Sequence, residues 1–237
     1  MQEFLHGAAM VILYLIPMAL IALTARKLIK IPDELFRKIL HFILLGAYIP
    51  LITAFKTWWI ASGFALIFIV VLYPILTLLE KLPAFAPFIN QRRSGEIRNS
   101  MILALSMMAL STLVCWGVFG DRYLVLACVY AWGVGDAFAA LIGKKFGRHK
   151  IKMKLADHKK SMEGSAAFLV TSTAAVWMVL MFRGGIGGFG CFIIALAGAT
   201  VAMFVELCTK DGYDTFTCPA AAMAAILPLI TLFEKMV

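Results

Sequence analysis

Apolar residues fill this chain in long runs, broken by short polar or basic segments. A helix rises about 1.5 Å per residue, so runs of this length cross the roughly 30 Å hydrocarbon layer of a bilayer. The pattern predicts eight spans, near 4–25, 38–55, 58–79, 100–119, 122–143, 163–182, 187–206 and 217–235. The fold class implied is an all-α polytopic membrane protein, a single integral membrane domain over residues 1–237. Between the sixth and seventh spans, GGIGGFG (184–190) reads as a flexible turn. Residues 80–99, with Pro83, Pro87 and QRRSGEIR, read as a linker lying partly along the membrane surface.

Composition agrees: 62% of the residues are hydrophobic and 15% are charged, more apolar surface than a soluble domain can hide. The first run is followed by Arg26, Lys27 and Lys30 rather than a cleavage site, so it is expected to stay as a span. Cys115, Cys128, Cys191, Cys208 and Cys218 fall in or beside spans and form no C-x-x-C pair, so they read as small packing residues.

Charge sets the orientation. Alternate loops hold Arg26, Lys27, Lys30, Arg37 and Lys38, then Lys81, Arg92, Arg93 and Arg98, then a basic loop over 144–160, then Lys210. The other side holds only Lys56, Arg122, Arg183 and Lys235. Positive loops stay cytoplasmic, so both termini are expected outside. The net charge of +9 follows from this rule and does not imply a nucleic-acid partner.

Three polar clusters fall on the cytoplasmic side. Arg37, Lys38 and His41 stand where the second span begins, and Arg37 and His41 share a helix face. His41 suits either a hydrogen-bonded helix histidine or an anion contact; Arg37 and Lys38 suit an anion site or plain membrane anchoring. The second cluster runs from Asp136 to Glu163. Asp136 lies about 10 Å of helix before Gly143, below the headgroups, where a carboxylate is costly and marks a functional candidate. Gly133 and Gly135 beside it allow a kink or a close backbone approach. Its favoured role is Mg²⁺ ligation, because carboxylates with nucleotide phosphates suit that hard cation.

Behind Asp136 come Lys144, Lys145, Arg148, Lys150, Lys152, Lys154, Lys159 and Lys160, against a single acid, Asp157. Such a loop attracts anionic headgroups or phosphate. Ser161 is placed to cap the sixth span, where helix N–H groups, the dipole and the ammoniums of Lys159 and Lys160 would meet a phosphate. Glu163, in the first turn, suits capping, metal ligation or orientation of a lysine. In the third cluster Glu206 closes the seventh span, and Asp214 is held at the interface by the segment that runs through Thr215 and Thr217 to Pro219.

Taken in order, RKILH (37–41), GDAFAALIGKKFGRHK (135–150), KKSMEGS (159–165) and Glu206 followed by DTFTCP (214–219) resemble the CTP-dependent lipid-alcohol kinases: dolichol kinase, phytol kinase and the yeast-type diacylglycerol kinase. The resemblance covers about residues 35–220. The last motif departs from that family, which often has Asp-Asn where this chain has Asp214-Thr215. The resemblance implies transfer of the γ-phosphate of CTP to a lipid hydroxyl, with Mg²⁺, at the cytoplasmic face. Lys144, Lys145, Arg148, Lys159, Lys160 and Ser161 would bind the phosphates, and Arg37 and His41 would complete the anion site. Asp136, Glu163 and Glu206 would hold Mg²⁺ or place the lysines, and Asp214 would orient or deprotonate the alcohol.

The middle block also looks like phosphatidate cytidylyltransferase, whose loop typically carries Ser-Pro where this chain has Ala156, Asp157 and His158. A third reading, of another class, is a small transporter with a cation site at Asp136. No Walker A sequence is present, which excludes an ordinary P-loop ATPase. The identity of the lipid and the oligomeric state stay open.

Overall fold

The computed structural model describes residues 1–81, 95–151, 160–209 and 212–236. Among these residues there is no strand, and eight helical segments are long and apolar enough to cross a membrane. The protein is therefore an all-α, multi-pass membrane protein. The basic residues Arg92, Arg93, Lys152, Lys154, Lys159 and Lys210, together with Asp157, lie outside the described residues.

The chain divides into two compact units, Met1–Leu113 and Val114–Val237. In the first, α1 (Gln2–Leu28) packs on α2 (Asp33–Gly46), α3 (Tyr48–Ala54) and α4 (Trp58–Leu79), and α4 packs on α5 (Glu96–Ser111). The second span begins at Asp33 rather than near residue 38. Pro32 precedes its first turn, and Asp33 and Glu34 place negative charge at the positive end of the helix dipole. The same span breaks at Ala47. Pro50 has no N–H to give the carbonyl of Gly46, and its ring crowds that carbonyl, so one straight helix is not available there. Glu3 closes the entry to α4, accepting from the amides of Lys56 and Thr57 at 2.9 Å and from the Thr57 hydroxyl at 2.8 Å.

A π-helical turn, Thr112–Val118, follows α5. The hydroxyls of Ser111 and Thr112 both donate to the Met108 carbonyl, at 3.2 and 2.7 Å, which competes with the ordinary helix ladder just before it widens.

The second unit is built from α6 (Arg122–Phe146), α7 (Met162–Arg183), α8 (Gly188–Cys208) and α9 (Asp214–Met236). Successive helices pack against one another, α9 returns to α6, and α6 also touches α8. Thus α6 contacts all three partners, and 56% of its apolar window is buried, against 39% to 44% for the others. The α6–α7 pair is an antiparallel hairpin with a seam of small residues. A Cβ at Gly135 would sit 2.3 Å from the Ser172 hydroxyl and 2.8 Å from the Phe168 ring, closer than real atoms approach. At the other end of the seam, Gly164 lies against the Ala139 carbonyl and the Gly143 Cα. Ala139 and Gly143 are therefore used within the chain. The hairpin is pinned by a bond from the Ser172 hydroxyl to the Ala131 carbonyl. The glycine segment forms the expected turn between α7 and α8, with Gly184 and Gly185 at φ +74° and +82°.

Candidate functional site

One end of the second unit gathers the C-termini of α6 and α8 and the N-termini of α7 and α9. Helix α6 continues to Phe146, so Lys144 and Lys145 occupy its last turn, where cations complement the dipole. Both are exposed, as is Arg148. Gly147 ends the helix with its amide on the Gly143 carbonyl at 3.1 Å. A Cβ there would meet the Gly143 carbonyl at 2.2 Å and the Ser161 hydroxyl at 2.6 Å, so only glycine lets the chain leave the helix against the start of α7. The neck of the loop is a single antiparallel bridge between Lys150 and Ser161. It is flanked by Ile151 N to Lys160 O at 3.0 Å and Met162 N to His149 O at 2.9 Å.

Ser161 caps α7 as expected: its buried hydroxyl accepts from Gly164 N at 3.2 Å. The anion site expected at this helix end is nevertheless filled by the protein itself. Met162 N is taken by His149 O, Gly164 N by the Ser161 hydroxyl and Ser165 N by Ser161 O. The dipole remains, but a phosphate finds none of these three amides free. Phosphate contact at this end therefore falls to side chains.

Among the described residues Glu163 pairs with a histidine rather than a lysine. Its carboxylate accepts from the His149 ring at 2.7 Å, from His149 N at 3.1 Å and from Arg148 N at 3.2 Å. It ties the outgoing strand of the loop to α7 and thereby sets where Arg148 leaves the bundle. The sequence assigns His149 no role of its own, and its partner stands fourteen residues away.

Lys160 has a different partner. Its ammonium lies 2.9 Å from Glu206 Oε1 and also donates to the Glu206 main-chain carbonyl. The two side chains are 18% and 10% exposed, so this is a largely buried ion pair joining the entry of α7 to the end of α8. Asp214 belongs to the first turn of α9, three residues earlier than the predicted span. Its carboxylate accepts from Thr215 N at 3.0 Å. The Thr217 hydroxyl donates to Tyr213 O at 3.0 Å and lies 3.2 Å from the Thr209 hydroxyl, which closes the α8–α9 connection. Asp214, Glu206 and Lys160 all lie within electrostatic reach of the buried Cys218 sulfur. Asp136 is half-buried on α6, about 15 Å of helix before Phe146.

Arg37 and His41 belong to the first unit, and both are half-buried inside α2 rather than at its start. Arg37 pairs with Glu34 at 3.7 Å. Lys38 is 6% exposed, which removes it from the role of a membrane-surface anchor. Lys159 lies outside the described residues. Among the described residues no three His, Cys, Asp or Glu side chains group closely enough to hold a metal ion by themselves.

The opposite end of this unit carries an ion-pair cluster of its own. Arg183, at the end of α7, bonds Asp121 Oδ2 at 2.5 Å, Glu234 of α9 and the Gly184 carbonyl. Asp121 also caps α6, accepting from Tyr123 N at 2.8 Å. The cap was legible in the order Asp121-Arg122-Tyr123; a pairing of Arg183 with Glu234, 51 residues on, was not. No family model, no curated protein and no solved structure matches this chain.

Proposed function

We propose that this protein is a CTP-dependent kinase that moves the γ-phosphate of CTP to the hydroxyl of a membrane lipid alcohol, of the polyprenol, phytol-like or diacylglycerol kind. The observation that carries this reading is the collection of charge at one bundle end. Exposed Lys144, Lys145 and Arg148 share this end with the Lys160–Glu206 pair and the first turn of α9 with Asp214, and Asp136 lies further down α6. Phosphoryl transfer asks chiefly for positioning and neutralisation of phosphate charge, and this set of groups supplies both. The positive-inside rule puts this end in the cytoplasm, where CTP is found.

The donor set fits a metal–nucleotide pair better than a resident metal. Mg²⁺ commonly takes one or two protein carboxylates and completes its shell with phosphate and water. Asp136 on α6, or Glu206 by exchange of its Lys160 partner, would supply such a carboxylate. Glu163 would not, because its oxygens already accept from the His149 ring and two amides. When bound, Mg²⁺ would neutralise charge on the transferring phosphate. Lys144, Lys145 and Arg148 would bind the outer phosphates as flexible point charges and a planar fork. Asp214, fixed at the start of α9, would orient the alcohol hydroxyl and accept its proton. The alcohol would arrive sideways from the bilayer while the nucleotide arrives from water.

The test uses purified protein, Mg²⁺ and a lipid extract, with CTP labelled in parallel at the α or γ phosphate. Label entering lipid from the γ position alone is expected. Entry from the α position would mean a cytidylyltransferase. Transfer from neither, with ATP also inactive, would reject both and favour a transporter.

A further inference from the structure

The first unit carries a groove between α4 and α5 that the proposed reaction does not use. Leu72 and Leu76 of α4 and Met101, Ile102 and Leu105 of α5 line it, with Tyr73 and Arg98 at one end. From Arg98 to Leu105 is about 10 Å of helix, so the groove runs from the membrane border into the hydrocarbon layer. The spanning segment of α5 begins at Arg98 itself. Among the described residues little covers α4: only 17% of its apolar window is buried, which leaves the groove open toward the acyl chains.

Arg98 is braced where it stands. Its guanidinium lies 5.3 Å over the Tyr73 ring and donates to the Thr77 hydroxyl at 3.4 Å. That hydroxyl donates in turn to the Tyr73 carbonyl at 2.8 Å. Glu80 stands 3.7 Å from the guanidinium, beyond the roughly 2.7–2.9 Å of a charge-assisted hydrogen bond. A guanidinium has five N–H donors, so most of those on Arg98 remain for a ligand. Glu80 has a further interaction besides Arg98, so a ligand on Arg98 does not leave it stranded. Residues 80–98 hold Lys81, Arg92, Arg93 and Arg98 against two acids, Glu80 and Glu96, which gives this border an excess of positive charge.

We propose that the α4–α5 groove is a binding site for an anionic glycerophospholipid, with the phosphate on Arg98 and one acyl chain along the groove. The two halves of the site select this class together. A planar guanidinium matches a phosphate through paired donors, and a cationic notch between spanning helices is a common seat for anionic headgroups. A lipid alcohol has no charge to offer Arg98. A free phosphate ester has nothing to place against Leu72, Leu76 and Ile102. A zwitterionic lipid brings a cation of its own to a border that is already positive. The site lies wholly in the first unit and does not depend on the nucleotide site. A lipid seated there would tie the end of α4 to the start of α5 and stabilise the folded chain by mass action.

The experiment measures retention of phosphatidylglycerol, phosphatidylcholine and glycerol phosphate by the full-length protein in detergent, counted as bound complexes by native mass spectrometry. Wild type, Arg98→Gln, Arg122→Gln and Ile102→Trp are compared. Wild type is expected to hold phosphatidylglycerol at least about tenfold more tightly than either other probe, and R98Q to lose about tenfold for that lipid, the scale of a charged hydrogen bond. R122Q removes the same charge from the start of α6 and is expected to bind like wild type. I102W fills the groove with Arg98 in place and is expected to weaken phosphatidylglycerol by a similar factor. Equal retention of the two lipids by wild type overturns the headgroup assignment. Equal weakening in R98Q and R122Q means attraction by bulk charge and overturns the site. Full binding in I102W, or glycerol phosphate held as tightly as the lipid, overturns the groove. If R98Q does not fold, the wild-type probe comparison and I102W decide the matter without it.

Discussion

Gly135→Ala is the sharpest probe of how the hairpin carries Asp136. The added Cβ would lie 2.3 Å from the Ser172 hydroxyl and 2.8 Å from two carbons of the Phe168 ring. Phe168 is fully buried and cannot swing away, so α6 and α7 must separate by several tenths of an ångström or more. Overpacking of this kind costs about 1–3 kcal/mol. Separation also breaks the bond from Ser172 to the Ala131 carbonyl, about 1 kcal/mol more. Alanine returns up to about 1 kcal/mol of helix propensity. The net expectation is a loss of about 1–3 kcal/mol. Gly63 on α4 is the control, since a Cβ there meets nothing within 4 Å and Gly63→Ala should be neutral or stabilising. Denaturant unfolding in detergent, followed by tryptophan fluorescence, measures both. The double variant Gly135→Ala with Ser172→Ala should recover only part of the loss, because the Phe168 contact remains. Equal stability of G135A, G63A and wild type would refute the close approach.

Asp136→Asn should abolish transfer of the γ label while membrane insertion and the unfolding midpoint stay close to wild type; normal turnover would remove Asp136 from the site. Ser161→Ala should cost about 1 kcal/mol in the same unfolding assay through the lost cap, and no change would mean that Gly164 N finds another acceptor. Arg183→Met strands Asp121, 19% exposed, and should cost about 3–5 kcal/mol, whereas Glu234→Gln, at a 44% exposed partner, should cost less than about 1 kcal/mol. Comparable losses in the two variants would contradict that ordering.

What the sequence determined by itself was the membrane architecture and the local chemistry. Runs of apolar residues must be spans because a bilayer leaves no other way to satisfy their backbone, and the eight segments lie where the runs do. The Ser161 cap and the glycine turn at 184–185 are fixed by neighbours in the chain, so they too were readable. Boundaries moved where local chemistry outweighed hydropathy, as at Asp33, whose acid favours a helix start although it is not apolar.

Pairing between distant charges belonged to the tertiary structure alone. A run of eight cations gives no sign that Lys160 differs from Lys144. The difference arises because the hairpin returns Lys160 against the end of α8, 46 residues further on, while Lys144 stays at a helix end facing water. Likewise Glu163, three positions after Lys160, turns to His149 rather than to a lysine, because the bridge at Lys150 and Ser161 brings His149 back to it. Sequence spacing fixes which residues share a helix face. Which charge neutralises which is decided by helices packing on one another, since burial makes an unpaired charge costly and the fold supplies whichever partner lies within reach.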